Sequence, residues 1–242
     1  MGHHIFLAGA SGAIGQRLIP QLLAAGHQVT GTTRNADKAE KLLALGVEPF
    51  VVDVFDAGAL SRAMAATRPD IVVHQLTDLP SGLDPSRMGE AIVRNARIRN
   101  EGTRNLVAAA GASGVRRMVA QSIAWAYAPG PEPHREADPL DGGASGNRGI
   151  SVGGVIALEN SVLNAPFAGI VLRYGQLYGP GTGTDTAAGA SPVHVDAAAY
   201  AALRAIDKGA PGAFNVAEPN QAVSTQKAVE ELGWRADFRL PA

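Results

Sequence analysis

A glycine-rich turn near the start of the chain constrains its fold more than any other feature. The segment LAGASGAIG, residues 7–15, joins the strand-like HIFLAGA to the helix-like IGQRLIPQLLAAG in a G-x-x-G-x-x-G pattern. Glycine permits a tight turn and lets the backbone approach a pyrophosphate, while the free N–H groups of the helix N-terminus attract the anion. In this strand–turn–helix context the pattern predicts a dinucleotide site. Its contacts would be Gly9, Ser11, Gly12, Ala13, Ile14 and Gly15.

Strand-like and helix-like segments then alternate along the chain. Further strands are predicted in HQVTGTTR, VEPFVVDV, DIVVHQL, RRMVAQSIAWAY and FAGIVLRYGQLYG, with a long helix at 89–114 and another in GGVIALENSVLNA. After Val193 come a helix at 196–208, a short apolar AFNVA and a final helix near TQKAVEELG. Strands separated by helices form right-handed crossovers and a covered parallel sheet. We expect an α/β fold, a Rossmann-type doubly wound parallel sheet, over 1–242, with a small substrate-side annex within about 176–242.

Composition excludes several classes of function. With a net charge of −1 over 242 residues, there is no electrostatic case for nucleic acid or an anionic membrane as a partner. The absence of cysteine excludes disulfides and thiolate chemistry, and His3 and His4 lack further ligand spacing, so no metal site is predicted. No signal peptide or membrane-spanning run is evident, so a cytoplasmic protein is expected.

The end of the second strand bears on the choice of cofactor. An NAD site would place Asp or Glu there for the ribose 2′-hydroxyl, whereas this chain has Thr33 and Arg34. Arginine pairs with a 2′-phosphate and can stack on adenine, so NADP(H) is predicted over NAD(H). Lys38 is a second candidate for the same phosphate, and a solvated loop arginine is the alternative.

These motifs, taken in order, resemble the extended short-chain dehydrogenase/reductase family, in its NAD-dependent epimerase/dehydratase branch. The resemblance rests on the glycine turn, VDV, HQLT, NEGTRNL, AQS, LRYGQLYGPG, HVD and ELGW, and covers nearly the whole chain. It implies that Asp53 and Val54 contact adenine. It also implies that Gln75, Leu76 and Thr77 line the middle of the cofactor and that Tyr174 and Gly175 lie near the nicotinamide.

The chain departs from that family in its proton-transfer machinery. The family uses a Tyr-x-x-x-Lys pair that opens the helix after the fifth strand, and counting back from Glu159 puts Ser151 and Val155 at those positions. Three candidates for a substitute catalytic group are Ser122, Tyr127 and Ser151. Each has a structural alternative: a serine satisfied by the backbone, a packing tyrosine and a helix N-cap, respectively. Charged residues of the Pro-rich loop, His134, Arg135 and Glu136, are further candidates or simply solvated.

A second departure is the short connections near Gly183 and Asn220, where the family carries its substrate-covering insertions. They predict a reduced C-terminal substrate lobe. The arginines of the long helix suggest either a solvated or subunit-facing stripe, or recognition of a phosphate-bearing substrate. They are Arg94, Arg97, Arg99 and Arg104, with Arg87 just before. The family resemblance favours a homodimer through this helix.

The first hypothesis for function is an NADP(H)-binding oxidoreductase, or an epimerase/dehydratase-like protein, acting on a small carbonyl or hydroxyl compound, of which a sugar-like molecule is one candidate. The missing pair leaves two rivals open. One is a catalytically silent NADP(H) sensor or partner subunit, and the other is a non-redox lyase or isomerase with a bound cofactor.

Overall fold

Seven parallel strands form the central sheet of the computed structural model, which describes residues 2–80 and 84–241. The order is β3-β2-β1-β4-β5-β6-β9, and every neighbouring pair is parallel. β7 and β8 form a separate two-stranded parallel sheet. The strands are β1 (His4–Ala8), β2 (Gln28–Thr33), β3 (Glu48–Val51), β4 (Ile71–His74), β5 (Arg117–Ile123), β6 (Ala168–Tyr174), β7 (Gln176–Tyr178), β8 (Pro192–His194) and β9 (Gly212–Val216).

Helices cover both faces of this sheet. They are α1 (Ala13–Ala24), α2 (Ala36–Ala44), α3 (Ala57–Thr67), α4 (Met88–Arg97), α5 (Thr103–Ala112), α6 (Gly146–Leu163) and α7 (Val195–Asp207). Alternate residues of β1 enter opposite cores: Ile5 and Leu7 pack with α1 and α7, while Phe6 packs with α3, α5 and α6. Period-two alternation in a strand therefore builds two apolar layers from one segment. The predicted doubly wound Rossmann fold is confirmed.

The strand order reverses between β1 and β4, because the chain runs β1-β2-β3 to one side and β4-β5-β6 to the other. In open parallel sheets this switch point leaves a crevice at the carboxyl ends of the strands. The loops after β1, β2, β4, β5 and β6 all meet at that edge and line one cavity there. The fold thus brings distant segments to a single site.

The structure adds detail to several predicted elements. The apolar AFNVA is strand β9, paired with β6, and α7 packs against α1, so both are parts of the main layers. The helix near TQKAVEELG is short and consists mainly of a π-helical turn, Ala228–Leu232. The predicted long helix is present as α4 and α5, which a π-helical turn, Ile98–Gly102, joins without a break. No helix among the described residues is long and apolar enough to cross a membrane.

Helix α6 begins at Gly146, about two turns before the predicted start at Gly153, with Ser145 at its N-cap position. The glycines of this stretch suggested a loop. The early turns are helical because Val152 and Val155 pack against Ile123 and Ala126 in a small apolar cluster. Ser151 is consequently inside the helix and is not its N-cap.

Candidate active site

The glycine turn after β1 has the geometry of an anion cradle. Gly9 adopts a φ of +90°, and a Cβ there would come 2.6 Å from the carbonyl oxygen of Gln75. A Cβ on Gly15 would come 2.4 Å from the Gly9 carbonyl oxygen, so this glycine allows helix and turn to touch. Gly12 is at the N-cap position of α1, where no side chain caps the helix and no acidic residue occupies the first turn. The first N–H groups of α1 are therefore left for an anionic ligand.

One large cavity, about 1260 Å³, extends from this cradle to the end of β2 in one direction and to α6 and β6 in the other. It collects most of the cofactor contacts predicted from sequence: Gly9, Ser11, Gly12, Ala13, Ile14, Arg34, Val54, Gln75, Leu76, Thr77, Tyr174 and Gly175. Two predicted residues are not in its lining. Gly15 is packed beneath the turn, and Asp53 is exposed and accepts a hydrogen bond from the Phe55 N–H (3.0 Å).

At the β2 end, Arg34 is half exposed, and its guanidinium is 3.9 Å from Asp78. Lys38 also lines this part of the cavity. The amide oxygen of Asn35 caps α2 by accepting from the Asp37 N–H (2.7 Å), and no carboxylate belongs to positions 33–35. Among the described lining residues, this end of the cavity therefore presents cations and hydroxyls and no carboxylate for a ribose hydroxyl.

The middle of the cavity contains an unsatisfied polar atom. The Gln75 side chain is buried and donates weakly to the Tyr174 hydroxyl (3.4 Å), while its Oε1 has no partner among the described residues. An orphaned buried acceptor is costly unless a ligand donates to it. Burial raises the pKa of Tyr174, which therefore stays protonated. The carboxamide of a nicotinamide has N–H groups that can donate to the Gln75 Oε1. The glycine turn and this acceptor therefore fit a dinucleotide.

Ser122 lines the far end of the cavity, but its proton is directed away from it. The Oγ donates to Glu159 Oε1 (2.7 Å). The same carboxylate accepts hydrogen bonds from Arg173, Nη2 to Oε2 (2.7 Å) and Nε to Oε1 (3.0 Å). All three side chains are buried. Ser122 can therefore accept a hydrogen bond from a ligand more readily than it can donate one.

Tyr127 is not brought to the cavity. Its hydroxyl donates to Asn215 Oδ1 (2.7 Å) and accepts from Arg173 Nη1 (2.8 Å), and its ring stacks on His134. Burial raises the pKa of this phenol. Glu136 belongs to the same buried network, since its Oε1 accepts from the Asn215 N–H (2.8 Å). The Pro-rich loop is thus bonded to β9 rather than poised over the site.

The two residues at the family's tyrosine and lysine positions, Ser151 and Val155, lie in different surroundings. Ser151 lines the cavity, and its Oγ is 3.3 Å from Arg99 Nη1. Val155 is fully buried in the apolar cluster beneath it. Arg99 and Trp125 also line the cavity. Arg99 was predicted as a substrate contact only as one of five arginines and only for a phosphate, whereas Trp125 was missed because no motif marks it.

The comparisons with known proteins agree with this geometry. Residues 9–143 match the family model described as NAD(P)H-binding. The chain is 40% identical over 243 residues to a 3-diazoavenalumate denitrifying reductase from a Streptomyces species, covering 92% of this chain and 78% of that protein. The chain therefore belongs to the NAD(P)H-binding family.

Solved structures and a second relative extend the comparison. UDP-glucose 4-epimerase from Thermotoga maritima superposes with a TM-score of 0.77 at 19% identity, covering 98% of this chain and 94% of that chain. This likeness shows the fold and confirms the predicted resemblance to the epimerase/dehydratase branch of the extended short-chain dehydrogenases/reductases. A 4-hydroxy-2-methyl-3-oxo-4-farnesyl-3,4-dihydroquinoline-1-oxide ketoreductase from Stigmatella aurantiaca is 30% identical over 114 residues, 47% of this chain and 31% of that protein.

Proposed function

We propose that this protein is an NADPH-dependent reductase that replaces a diazonium group with hydrogen and releases N2. The observation that carries the proposal is the chemistry of the cavity wall. Among the described lining residues there is no Asp, Glu or His. The titratable groups that line it are Arg34, Lys38, Arg99, Arg148 and Tyr174.

None of these groups is suited to deliver a proton near neutral pH. Arginine is not a proton donor in proteins, Lys38 lines the β2 end of the cavity rather than the end with Ser122, and the raised pKa of Tyr174 makes it a weak acid. Reduction of a carbonyl requires a proton on the oxygen, which this wall does not offer. When bound, NADPH supplies a hydride, and R–N2⁺ plus NADPH gives R–H, N2 and NADP⁺ with no proton on either side. The relative from Streptomyces is named for a diazo substrate and for denitrifying reduction, which supports the same chemistry.

The chain's own residues then serve binding and orientation. The α1 N-terminus would hold the pyrophosphate, and Gln75 would accept from the nicotinamide carboxamide. The loop between β7 and β8 contributes Gly181 and Thr182 to the wall, and a Cβ on Gly181 would come 3.6 Å from the Cβ of Ala13 in the glycine turn. This loop would help to cover the cofactor and exclude water, whose attack on a diazonium ion competes with reduction.

Turnover of a simple probe tests the function. With benzenediazonium-3-carboxylate, we expect NADPH oxidation that depends on the protein and yields benzoate, and no comparable rate with benzaldehyde. Ser122→Ala should keep the diazonium rate within a few-fold, because no acid acts in the step. Loss of a positioned acid usually costs about 10²–10⁴-fold. A comparable benzaldehyde rate, or a loss of that size in Ser122→Ala with the diazonium probe, would refute the proposal.

Preference for NADPH is a separate expectation, supported by Arg34 and Lys38 at the β2 end of the cavity. Arg34→Gln should weaken NADPH binding about 10- to 100-fold and leave NADH binding unchanged, because a charge-assisted pair with the 2′-phosphate is lost. Arg62→Gln, an exposed arginine of α3 outside the cavity, is the control. Equal calorimetric affinities of the parent protein for NADPH and NADH would show that Arg34 does not select the cofactor.

We also propose a homodimer through the outer face of α4 and α6. These helices touch closely, since a Cβ on Gly154 would come 2.9 Å from Ala96 Cα. The shared face exposes Val93 (54%) and Ile150 (41%), two large apolar side chains that a second copy would cover.

A further inference from the structure

Arg99 is a buried cation that faces the cavity. It belongs to the π-helical turn Ile98–Gly102, and its side chain is only 8% exposed. Such turns interrupt the helical repeat and often mark functional sites. Here the turn directs a guanidinium into the space between Ser151 and the rest of the cavity wall.

The buried charge of this guanidinium has few hydrogen-bond acceptors and no carboxylate in contact with it among the described residues. Nη1 donates to the Ser151 carbonyl oxygen (3.4 Å) and hydroxyl (3.3 Å), both at long range. Within the described residues no carboxylate lies within 4.0 Å of Arg99, whereas the equally buried Arg173 forms a double contact with Glu159. Burial lowers the pKa of Arg99 to about 10, with a partial offset from the Glu159 carboxylate beyond contact distance, and this leaves Arg99 charged at neutral pH. Buried charges are rarely left without a partner, so an anionic ligand is the missing component.

The surroundings of Arg99 indicate what kind of anion. The wall formed by α4, the π-helical turn and α6 includes three apolar side chains, Ile92, Ile98 and Val152, together with the polar Asn95, Asn147 and Arg148. Trp125 also lines the cavity and is 42% exposed, so its indole can serve as a stacking surface. A small aromatic acid satisfies both features, with its carboxylate on the guanidinium and its ring along the apolar wall.

We propose that Arg99 binds the carboxylate of an aromatic acid substrate and thereby sets the specificity of the site. The inference rests on the proposed function, because it assigns the substrate class of the same cavity. It also removes an electrostatic conflict: a diazonium cation alone would be repelled by Arg99, whereas the zwitterion of a diazonium carboxylate is attracted at one end. The ending of 3-diazoavenalumate, the compound in the name of the Streptomyces relative, denotes an acid anion.

Calorimetry with unreactive probes tests the assignment. We expect the protein saturated with NADP⁺ to bind trans-cinnamate at least tenfold more tightly than trans-cinnamamide, which has the same shape and no charge. Arg99→Gln should abolish this preference while the Kd for NADP⁺ changes less than twofold. Arg99→Lys should keep part of it, because the charge remains and the two-pronged geometry is lost. Arg104→Gln, an exposed arginine of α5 outside this cavity, should behave as the parent.

Equal affinity of the parent protein for cinnamate and cinnamamide would overturn the proposal without any variant. A preference that survives in Arg99→Gln would do the same. A loss of NADP⁺ affinity in Arg99→Gln greater than the loss of cinnamate affinity would assign Arg99 to the cofactor instead. None of these measurements requires turnover, so the absence of diazonium reduction with an intact cinnamate preference would refute only the proposed function.

Discussion

Replacing Arg173 with methionine should destabilise the protein by about 3–5 kcal/mol, the usual cost of leaving one charge of a buried pair alone. Arg173 and Glu159 are each at least nine-tenths buried, and their closest atoms, Nη2 and Oε2, are 2.7 Å apart. Among the described residues, the variant leaves the Glu159 carboxylate with only the Ser122 hydroxyl as a side-chain donor, and the Tyr127 hydroxyl also loses a partner. Urea unfolding followed by circular dichroism gives the change.

The control is Arg116→Met, which removes an ion pair on the surface and away from the α4 and α6 face. Arg116 Nη2 is 3.1 Å from Asp70 Oδ1, but both groups are exposed, so the expected cost is below about 1 kcal/mol. The double variant Arg173→Met/Glu159→Leu should be more stable than Arg173→Met alone, because no buried charge remains. Similar losses for Arg173→Met and Arg116→Met would contradict the role given to the buried pair.

A tyrosine at position 151 should create aldehyde reduction without improving diazonium reduction. Arg99 Nη1 is 3.3 Å from Ser151 Oγ, so a cation that can lower a phenol pKa already lies beside this position. Using Arg99 avoids placing a lysine at Val155, which is fully buried among apolar side chains. A positioned acid contributes about 10²–10⁴-fold, so Ser151→Tyr should exceed Ser151→Phe by that factor with benzaldehyde.

Ser151→Phe is the control because it has the same bulk and no proton to give. With benzenediazonium-3-carboxylate, the two variants should have equal rates, because any loss of rate caused by the added ring is the same in both. The measurement is the rate of NADPH oxidation by each variant with each substrate. A Tyr variant that surpasses the Phe variant on the diazonium probe would mean that the step needs a proton after all.

The cofactor half of the site was predictable because its determinants are local. The glycine turn, Arg34 and the residues after β4 each follow a strand, and parallel strands bring their carboxyl ends to one edge. Residues that follow these strands meet at that edge however far apart they are in the sequence, and nearly all of the predicted cofactor contacts line the cavity. The replacement of the family's tyrosine and lysine by Ser151 and Val155 could also be found from sequence, because both positions are a fixed number of residues before Glu159 in the same helix.

The rest depends on packing that no local pattern encodes. Tyr127 was a catalytic candidate, but its hydroxyl bonds to Asn215, 88 positions away, and not to the cavity. For the arginines of the long helix the sequence left open a solvated stripe or a phosphate contact, and only the π-helical turn shows that Arg99 is buried while Arg97 and Arg104 are exposed. Ser122 lines the cavity, yet the direction of its proton depends on Glu159 and Arg173.

The central claim is that hydride replaces nitrogen with no proton from the protein or from water, and isotope tracing tests it most directly. The protein is incubated in H2O with benzenediazonium-3-carboxylate and NADPH deuterated at one face of C4, and the converse reaction uses unlabelled NADPH in D2O. A reaction without protein sets the background. We predict benzoate with one deuterium at the carbon that carried nitrogen in the first reaction, for one face only, and none from D2O in the second. Deuterium from D2O at that carbon, or a product that retains both nitrogen atoms, would contradict the claim.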